Sequence, residues 1–227
     1  RDSSNADGAQ NFKLSKTPEN QTLKSFWTDV IPHRLDVLLK DIDIFKEFLV
    51  VSEQKNGLNQ INVKRWDGTD DYYLPFQSET YTAYTTNNID FDTSLLRYGY
   101  ESMTTPSSLI DFNMRSKEKI ILKEQKVLGS KFVKENYISK RLWATAADGT
   151  EIPISLVKHK DTAKSPDTPL LLYAYGSYGA SIVPYFSTLR LSLLSYGLVR
   201  CHPKSPLARQ PFYICLLYTS DAADEED

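Results

Sequence analysis

Cysteine is scarce in this sequence of 227 residues, and its two cysteines, Cys201 and Cys215, both lie near the C-terminal end. Neither a C-x-x-C pair nor a Cys/His spacing of the zinc type is present. A disulfide scaffold and a Cys/His zinc site are therefore excluded, and a cytoplasmic location is favoured.

Long hydrophobic runs are also missing. The longest uncharged apolar stretch, residues 170–175, has about six residues, whereas a membrane-spanning helix needs roughly 20. The 27 lysines and arginines and the 29 aspartates and glutamates leave a net charge of −2, without an arginine-rich stripe. A membrane span is excluded, and a nucleic-acid partner is not supported.

Short strand-like stretches, rather than helical periodicity, occupy residues 1–125. Three of them begin near Asn11, Gln60 and Ser108, a spacing of about 48 residues. The second covers residues 60–66, and the last two are each flanked by matching predicted strands, upstream at 47–52 and 95–102 and downstream at 71–74 and 117–122. A repeat of this length with about four strands is typical of a β-propeller, whose blades bury their faces only against neighbouring blades. Because a closed ring needs at least about four blades, residues 1–125 are predicted to be part of a propeller from a longer protein.

The pattern changes after about residue 125. Residues 141–146 and 151–157 alternate in polarity, and Asp148-Gly149 between them predicts a hairpin turn. The apolar face of the second strand is expected to carry Ile152, Ile154 and Leu156.

A strand, a helix and another strand are predicted next. Residues 169–175 form a continuous apolar run, which indicates a strand buried on both faces and hence a parallel or central strand. Pro184 is expected to open a helix that ends at Gly197 and is followed by a strand from Leu198. The apolar stripe of this helix is predicted to contain Phe186, Leu189, Leu193 and Leu194. This order is the beginning of an open α/β sheet.

Two long segments carry a resemblance to a known family. Residues 141–157 (RLWATAADGTEIPISLV) and 169–179 (PLLLYAYGSYG) are similar to the prolyl oligopeptidase family of serine peptidases, and the match is closer to the oligopeptidase B branch. Residues 56–60 (NGLNQ), 66–75 (WDGTDDYYLP) and 102–108 (SMTTPSS) point the same way. The resemblance covers roughly residues 5–200.

The resemblance implies a propeller that caps an α/β-hydrolase domain, and cleavage of short peptides after lysine or arginine by a Ser-His-Asp triad. The predicted fold class is therefore mixed: the last blades of a β-propeller over residues 1–125, then the first strands and helix of an α/β-hydrolase domain over residues 126–200, both incomplete. The expected partners are short peptide substrates, with neither nucleic acid nor membrane, and no metal or cofactor is implied.

Tyr175 is the residue of this chain to which the resemblance gives a catalytic role. In the family, a tyrosine of the glycine-rich loop after the buried strand donates to the oxyanion hole, and Tyr175 occupies that position. A preorganised phenol can stabilise the oxygen that becomes negative in the tetrahedral intermediate. Ala174 stands where the family usually has glycine.

The catalytic triad itself is not expected in this chain. No G-x-S-x-G motif occurs, and Ser177 in the Gly176-Ser177-Tyr178-Gly179 loop has the wrong spacing for a nucleophile. Ser177 is expected to bond local backbone instead. The family places the serine, aspartate and histidine downstream, so the chain as given is predicted to be inactive.

Residues 201–227 depart from the family pattern. Pro203 and Pro206 fall where a central strand is due, and such a strand does not accept proline in its interior. Residues 215–225 resemble the translation of a sequencing adapter. These residues are expected to follow a frameshift near residue 200 and to carry no biological role.

The other polar candidates have simpler interpretations than catalysis. His33 is expected to make a local hydrogen bond in a loop between blades, His159 to be solvated, and His202 to have no role. The Asp70-Asp71 pair is interpreted as a solvated turn rather than a metal site. Two further functional hypotheses remain: a non-catalytic propeller that binds a partner, and an oligopeptidase that cleaves after proline.

Overall fold

The structure is a computed structural model that describes residues 4–128, 132–163, 165–174, 182–197 and 199–203. Strands dominate these residues. They are β1 (Leu14–Lys16), β2 (Thr28–Ile31), β3 (Val37–Ile44), β4 (Phe48–Lys55), β5 (Leu58–Arg65), β6 (Asp71–Tyr73), β7 (Tyr81–Thr85), β8 (Leu95–Ser102), β9 (Thr105–Asn113), β10 (Lys119–Glu124), β11 (Tyr137–Thr145), β12 (Glu151–His159), β13 (Leu170–Leu172) and β14 (Val199–Pro203). The helix α1 spans Thr188–Ser195, and short 3-10 turns occupy Ala6–Gly8, Lys24–Phe26 and Lys134–Asn136.

The strands of the described residues form one two-stranded and three four-stranded sheets. β1 pairs with β2. The first four-stranded sheet has the order β3-β4-β5-β6, the second β10-β9-β8-β7, and the C-terminal sheet β11-β12-β14-β13. The predicted four strands per repeat are thus found in the first two of these sheets.

The chain divides into two compact units. The first comprises Arg1–Pro75, Tyr84–Tyr98 and Asp111–Ile120, and the second comprises Phe76–Ala83, Gly99–Ile110 and Ile121–Asp227.

In the first unit, β4 is the best-buried strand, and its residues from Phe48 to Val51 are at most 2% exposed. It pairs antiparallel with β3 on one side and β5 on the other. Asn56 and Gly57 connect β4 to β5 with positive φ angles of 50° and 72°, which a tight hairpin turn requires. The core on one side of this strand consists of Leu14, Ile31, Leu39, Leu49 and Val51.

The second unit contains the C-terminal sheet and α1. Its core cluster joins Met103, Val157 and Leu194, with Tyr137 packed against it. β11 and β12 form the predicted hairpin with continuous antiparallel register from Tyr137↔His159 to Thr145↔Glu151. The turn at Gly149 has a φ of 84°. The prediction of a hairpin at Asp148-Gly149 is therefore confirmed.

The face of β12 that was expected to be its apolar side is only half-buried. Ile152, Ile154 and Leu156 are of intermediate exposure, whereas Ser155 and Val157 on the opposite face are buried. The hydroxyl of Ser155 accepts a hydrogen bond from Arg141, which offsets the cost of its burial, and hydrophobic alternation does not reveal such a buried polar position.

β13 does not have the burial expected of a central strand. It pairs in parallel with β14 at the edge of the C-terminal sheet, and Leu170, Leu171 and Leu172 are 36–57% exposed. The expectation of burial on both faces is wrong for the described residues, because all three leucines are exposed, whereas the expected parallel pairing is confirmed.

α1 begins later than predicted, and its buried face agrees with the predicted stripe only in part. Ser187 precedes its first residue, so Phe186 lies outside the helix. The buried positions are Leu191 and Leu194, whereas Leu189 is 87% exposed. Of the predicted stripe, Leu194 is confirmed as buried and Phe186 is buried just before the helix, whereas Leu189 and Leu193 are exposed and Leu191 is buried instead. The predicted end at Gly197 is confirmed, because its φ is 84° and its N–H donates to the Leu194 carbonyl at 3.1 Å.

The predicted last strand is present as β14. It pairs antiparallel with β12 and parallel with β13, and Pro203 is its last residue. Among the described residues, no helix is long and apolar enough to cross a lipid bilayer.

Candidate active-site region

The end of β13 leads directly to Tyr175. The hydrogen bonds between β13 and β14 continue one residue past Leu172, because the Tyr173 N–H donates to the Cys201 carbonyl at 3.0 Å. Ala174 is half-buried. Tyr175 and Ser177 lie outside the described residues, so the oxyanion role of Tyr175 and the backbone-bonding role of Ser177 stay predictions.

Residues 182–187 lead into α1 and are held by two contacts within the second unit. The Phe186 N–H donates to Oε2 of Glu101 at 3.0 Å. The Phe186 ring, which is 6% exposed, meets the Phe132 ring edge-on with centroids 5.2 Å apart. Burial raises the pKa of Glu101, and the hydrogen bond from Phe186 opposes this rise. These contacts fix the chain immediately before the helix.

Arg190 lies in the first turn of α1 against two tyrosines. Its Cζ atom is 4.7 Å from the ring centroid of Tyr185 and 5.8 Å from that of Tyr173. Nη2 also donates a hydrogen bond to the Tyr185 hydroxyl. The guanidinium thus contacts one ring after β13 and one ring before α1.

A second guanidinium of this unit, that of Arg141, lies between β11 and β12. Nη1 donates to Oγ of Ser155 at 2.7 Å, and Ser155 is fully buried. The backbone N–H of Arg141 donates to Oε2 of Glu79 at 3.0 Å. Burial lowers the pKa of Arg141 to about 10, so the group stays charged at neutral pH. Its hydrogen bond to Ser155 joins the two strands.

An apolar groove of about 610 Å³ runs along the C-terminal sheet. Its apolar lining includes Ile138, Leu142, Leu156, Leu170 and Val199. The half-buried face of β12 contributes to this lining through Leu156, and the exposed edge strand β13 contributes through Leu170. An uncovered apolar surface on a sheet is the usual packing site of a further layer of structure.

The acidic pair Asp70-Asp71 in the first unit forms ion pairs with lysines. Lys117 Nζ lies 3.2 Å from Asp70, whereas Asp71 pairs with Lys64 and accepts from Asn62 Nδ2 at 2.9 Å. The carboxylates of Asp70 and Asp71 therefore have different cationic partners. In the described part of the chain, no cluster of three or more His, Cys, Asp and Glu side chains could hold a metal.

The predictions for His33 and His159 both differ from what the structure shows. Nε2 of His33 is buried without a hydrogen-bond partner among the described residues, so this atom does not make the expected local bond. His159 is only 24% exposed rather than solvated, because it ends β12 and meets the Tyr137 ring edge-on at 5.4 Å. Its Nδ1 accepts from the Asp161 N–H at 3.3 Å. For His202 only the backbone is described, as part of β14.

Arg190 and Glu101 were missed from the sequence. A signal for Arg190 was present, because it is the only charged residue of α1 and tyrosines stand on both sides of the glycine-containing stretch before it. Glu101 offered no comparable signal, since its partner lies 85 residues away.

Comparison with known proteins supplies the family. The family model described as "Prolyl oligopeptidase, N-terminal beta-propeller domain" matches residues 3–125, which is more than half of the chain. The chain belongs to the prolyl oligopeptidase family. The two four-stranded sheets that precede residue 125 are accordingly propeller-type sheets, as the 48-residue spacing predicted.

Relatives match well past residue 125. A dipeptidyl aminopeptidase BI from Pseudoxanthomonas mexicana is 42% identical over 196 residues, and the match covers 86% of this chain and 27% of the relative. Protease 2 from Moraxella lacunata is 31% identical, with coverages of 85% and 27%. A solved oligopeptidase B from Trypanosoma brucei with covalently bound antipain aligns with a TM-score of 0.79 at 33% identity, covering 88% of this chain and 29% of that one. The chain thus spans less than a third of the length of these relatives.

Proposed function

We propose that the protein to which this chain belongs is a serine-type oligopeptidase that hydrolyses short peptides through an acyl-enzyme. The observation that carries the proposal is family membership together with relatives named as peptidases at 42% and 31% identity. In the proposed reaction a serine attacks the scissile carbonyl, and a histidine takes the proton of the serine hydroxyl and transfers it to the leaving amine. An aspartate orients the histidine. These three residues would lie outside the present chain.

The second part of the proposal is that an α/β-hydrolase domain begins near residue 126. The parallel pairing of β13 with β14, with α1 between them in sequence, supports it, since parallel neighbours need a crossover connection. The apolar groove and the exposed leucines of β13 also support it, because helices of such a domain would cover them. Residues 201–227 are proposed to follow a frameshift and to include a sequence derived from an adapter. A cytoplasmic location is likewise a prediction, which rests on the low cysteine content.

Tyr175 is proposed as an oxyanion donor of the complete enzyme. It follows the end of β13 by three residues, which is a position that loop groups acting on a substrate commonly take in α/β sheets. Tyr175→Phe in the full-length protein should lower kcat/KM by roughly 10²–10³-fold. Tyr84→Phe is the matched control, because Tyr84 is 47% exposed in the first unit. An unchanged kcat/KM for Tyr175→Phe would contradict the assignment.

The proposed specificity is cleavage after lysine or arginine, by resemblance to oligopeptidase B. A second candidate is release of dipeptides from free amino termini, which is favoured by the higher identity to the dipeptidyl aminopeptidase, 42% against 31% for Protease 2. Three fluorogenic amides separate the possibilities: a blocked arginyl amide, a blocked prolyl amide and an arginyl amide of a dipeptide with a free amino group.

Turnover of the blocked arginyl amide supports the main proposal, and turnover of the free dipeptide amide alone supports the second candidate. Turnover confined to the prolyl amide would favour cleavage after proline. Inactivation by a serine-directed organophosphate is expected in each case. If the full-length protein cleaved none of the three, the enzyme proposal would fail, and a non-catalytic binding propeller would be the hypothesis to pursue.

A further inference from the structure

The turns of two hairpins that belong to different sheets contact each other in the first unit. One turn, residues 66–70, joins β5 to β6, and the other, residues 114–118, joins β9 to β10. Nζ of Lys117 lies 3.2 Å from Oδ1 of Asp70 and 4.4 Å from the ring centroid of Tyr72. One ammonium group of the β9–β10 turn therefore contacts two residues of the β5–β6 hairpin.

Tyr72 is itself held by the second sheet. Its hydroxyl donates to the Met114 carbonyl at 2.8 Å, and its ring centroid lies 6.4 Å from that of Phe112. Burial raises the pKa of Tyr72 to about 12, so the phenol keeps the proton that it donates. A cation is attracted more strongly to an aromatic face that is partly shielded from water. The fixed, half-buried ring of Tyr72 is therefore a favourable contact for Lys117.

The backbone of Lys117 is in a conformation that lysine rarely adopts. Its φ is 63°, in the left-handed region that glycine and asparagine take most readily. The turn is closed by the Lys117 N–H, which donates to the Asn113 carbonyl at 2.8 Å. A strained residue of this kind persists where its surroundings over-determine it. The contacts of the Lys117 side chain with the other sheet supply such a constraint.

A backbone hydrogen bond joins the same two sheets beside these turns. The Lys46 N–H, between β3 and β4, donates to the Phe91 carbonyl, between β7 and β8, at 2.9 Å. The next residue, Glu47, pairs with Arg115 of the 114–118 turn. Exchange of the Lys46 amide therefore reports on contact between the sheets. The Trp66 N–H, which donates to the Glu47 carbonyl at 3.0 Å, reports on the first sheet alone.

We propose that Lys117 forms a clamp with Asp70 and Tyr72 that holds the two sheets together at this end, and that releasing the clamp lets the sheets separate there while each stays folded. Local opening of this kind requires less free energy than global unfolding. The side chains of Lys117 and Asp70 are 52% and 31% exposed, so salt weakens their attraction. The clamp is thus a conformational device that responds to ionic strength, and it does not depend on the proposed peptidase activity.

The test is hydrogen exchange of the full-length protein, followed by mass spectrometry at single-amide resolution. The protection factors of the Lys46 and Trp66 amides are compared in the wild type and in Lys117→Asn, Lys117→Gly and Lys117→Arg, at low ionic strength and in 1 M NaCl. Lys64→Met is the matched control. It removes the ion pair of a lysine with Asp71, but both of these residues belong to the first sheet.

We expect Lys117→Asn and Lys117→Gly to lower the protection factor of the Lys46 amide by about 5–30-fold, because an ion pair and a cation–π contact are lost together. The protection of the Trp66 amide should change by less than about twofold, because the first sheet stays folded. Lys117→Arg should keep the Lys46 protection within about threefold of the wild type, since a guanidinium also lies over rings and pairs with carboxylates. In 1 M NaCl the wild type should lose part of its Lys46 protection. Lys64→Met should leave it unchanged.

An unchanged or higher Lys46 protection in Lys117→Gly would overturn the proposal, because relief of the positive φ would then outweigh loss of the side chain. Equal losses at Lys46 and Trp66 would contradict it as well, since the sheets would then unfold rather than separate. A loss in Lys64→Met as large as that in Lys117→Asn would show that any lysine pair has this effect. If the Lys117 variants do not fold, the wild type decides, and a Lys46 protection that is independent of salt would refute the clamp.

Discussion

The guanidinium of Arg34 donates a hydrogen bond to the carboxylate of Glu53, whose side chain is 1% exposed on the interior strand β4. The Tyr73 hydroxyl donates to the other carboxylate oxygen at 2.7 Å. Arg34 keeps 32% of its side chain exposed. The two members of this ion pair therefore differ greatly in burial, and removing one should not be equivalent to removing the other.

Arg34→Met should destabilise the protein more than Glu53→Gln. The first change leaves a buried carboxylate without its cation, at a cost of about 3–5 kcal/mol. The second leaves a partly solvated arginine and a neutral amide of the same size, at a cost of about 1–3 kcal/mol. Urea unfolding followed by circular dichroism measures both.

Lys55→Met provides the matched control for this comparison. It removes an exposed ion pair of Lys55 with Asp36 at 2.8 Å, which should contribute no more than about 1 kcal/mol. Equal losses for Arg34→Met and Glu53→Gln would show that burial of the carboxylate does not determine the energy of the pair.

The strands that could be predicted from the sequence are those with a local signature. β4, β5 and β6 were expected at residues 47–52, 60–66 and 71–74, close to their observed bounds. β3 and β7 were not predicted. β3 contains Lys40, Asp41 and Asp43 and is continued across a register shift, so its burial pattern does not alternate cleanly.

The parts of the site that could not be predicted depend on contacts distant in sequence. Glu101 and Phe186 are 85 residues apart, and no spacing rule connects them. The buried face of α1 was predicted only in part, correctly at Leu194 and wrongly at Leu189, because a helix of eight residues contains too few turns to fix its apolar face. Tyr175, by contrast, was singled out by resemblance alone, which needs no knowledge of packing.

Glu47 should contribute to stability in a salt-dependent way. Its carboxylate pairs with Arg65 at 3.2 Å and with Arg115, and it lines a polar cleft of about 390 Å³ in the first unit. Glu47→Gln should lower stability by about 1 kcal/mol at low ionic strength, because a carboxylate shared by two guanidinium groups forms a small network. Most of this loss should disappear in 1 M NaCl, where the screening length is about 3 Å.

Asp92→Asn in the same cleft is the control for Glu47. Asp92 pairs with Lys46 at 2.7 Å, but both side chains are more than half exposed, at 70% and 59%. The change should have little effect at either ionic strength. Thermal melts of both variants at two salt concentrations make the comparison, and a salt-independent loss for Glu47→Gln would contradict the electrostatic explanation.

Ser155 should be the most sensitive serine of the β11–β12 hairpin. Its hydroxyl is fully buried and accepts from Nη1 of Arg141 at 2.7 Å. Ser155→Ala removes an acceptor from a half-buried cation and should cost about 1–3 kcal/mol in the free energy of unfolding. Ser116→Ala is the control, since its hydroxyl donates to Glu118 in an exposed turn. Similar urea midpoints for the two variants would argue against the importance of the Arg141 contact.

The contribution of Glu101 to the free energy of unfolding should fall as the pH rises, whereas the contribution of an ion-paired carboxylate falls as the pH drops. Burial raises the pKa of Glu101 in the folded state, so the folded protein binds this proton more tightly than the unfolded chain. Its contribution to stability is therefore most favourable below the unfolded pKa of about 4.3, and it declines as the pH rises through the folded pKa.

Glu101→Gln separates this charge effect from the hydrogen bond. The amide oxygen can still accept from the Phe186 N–H, whereas the cost of burying a charge is removed. We therefore expect the variant to be more stable than the wild type at pH 7, and the difference to shrink as the pH falls towards 4. Urea midpoints across that range measure it. A variant that is less stable at pH 7 would show that the charge of the acceptor strengthens the Phe186 bond by more than its burial costs.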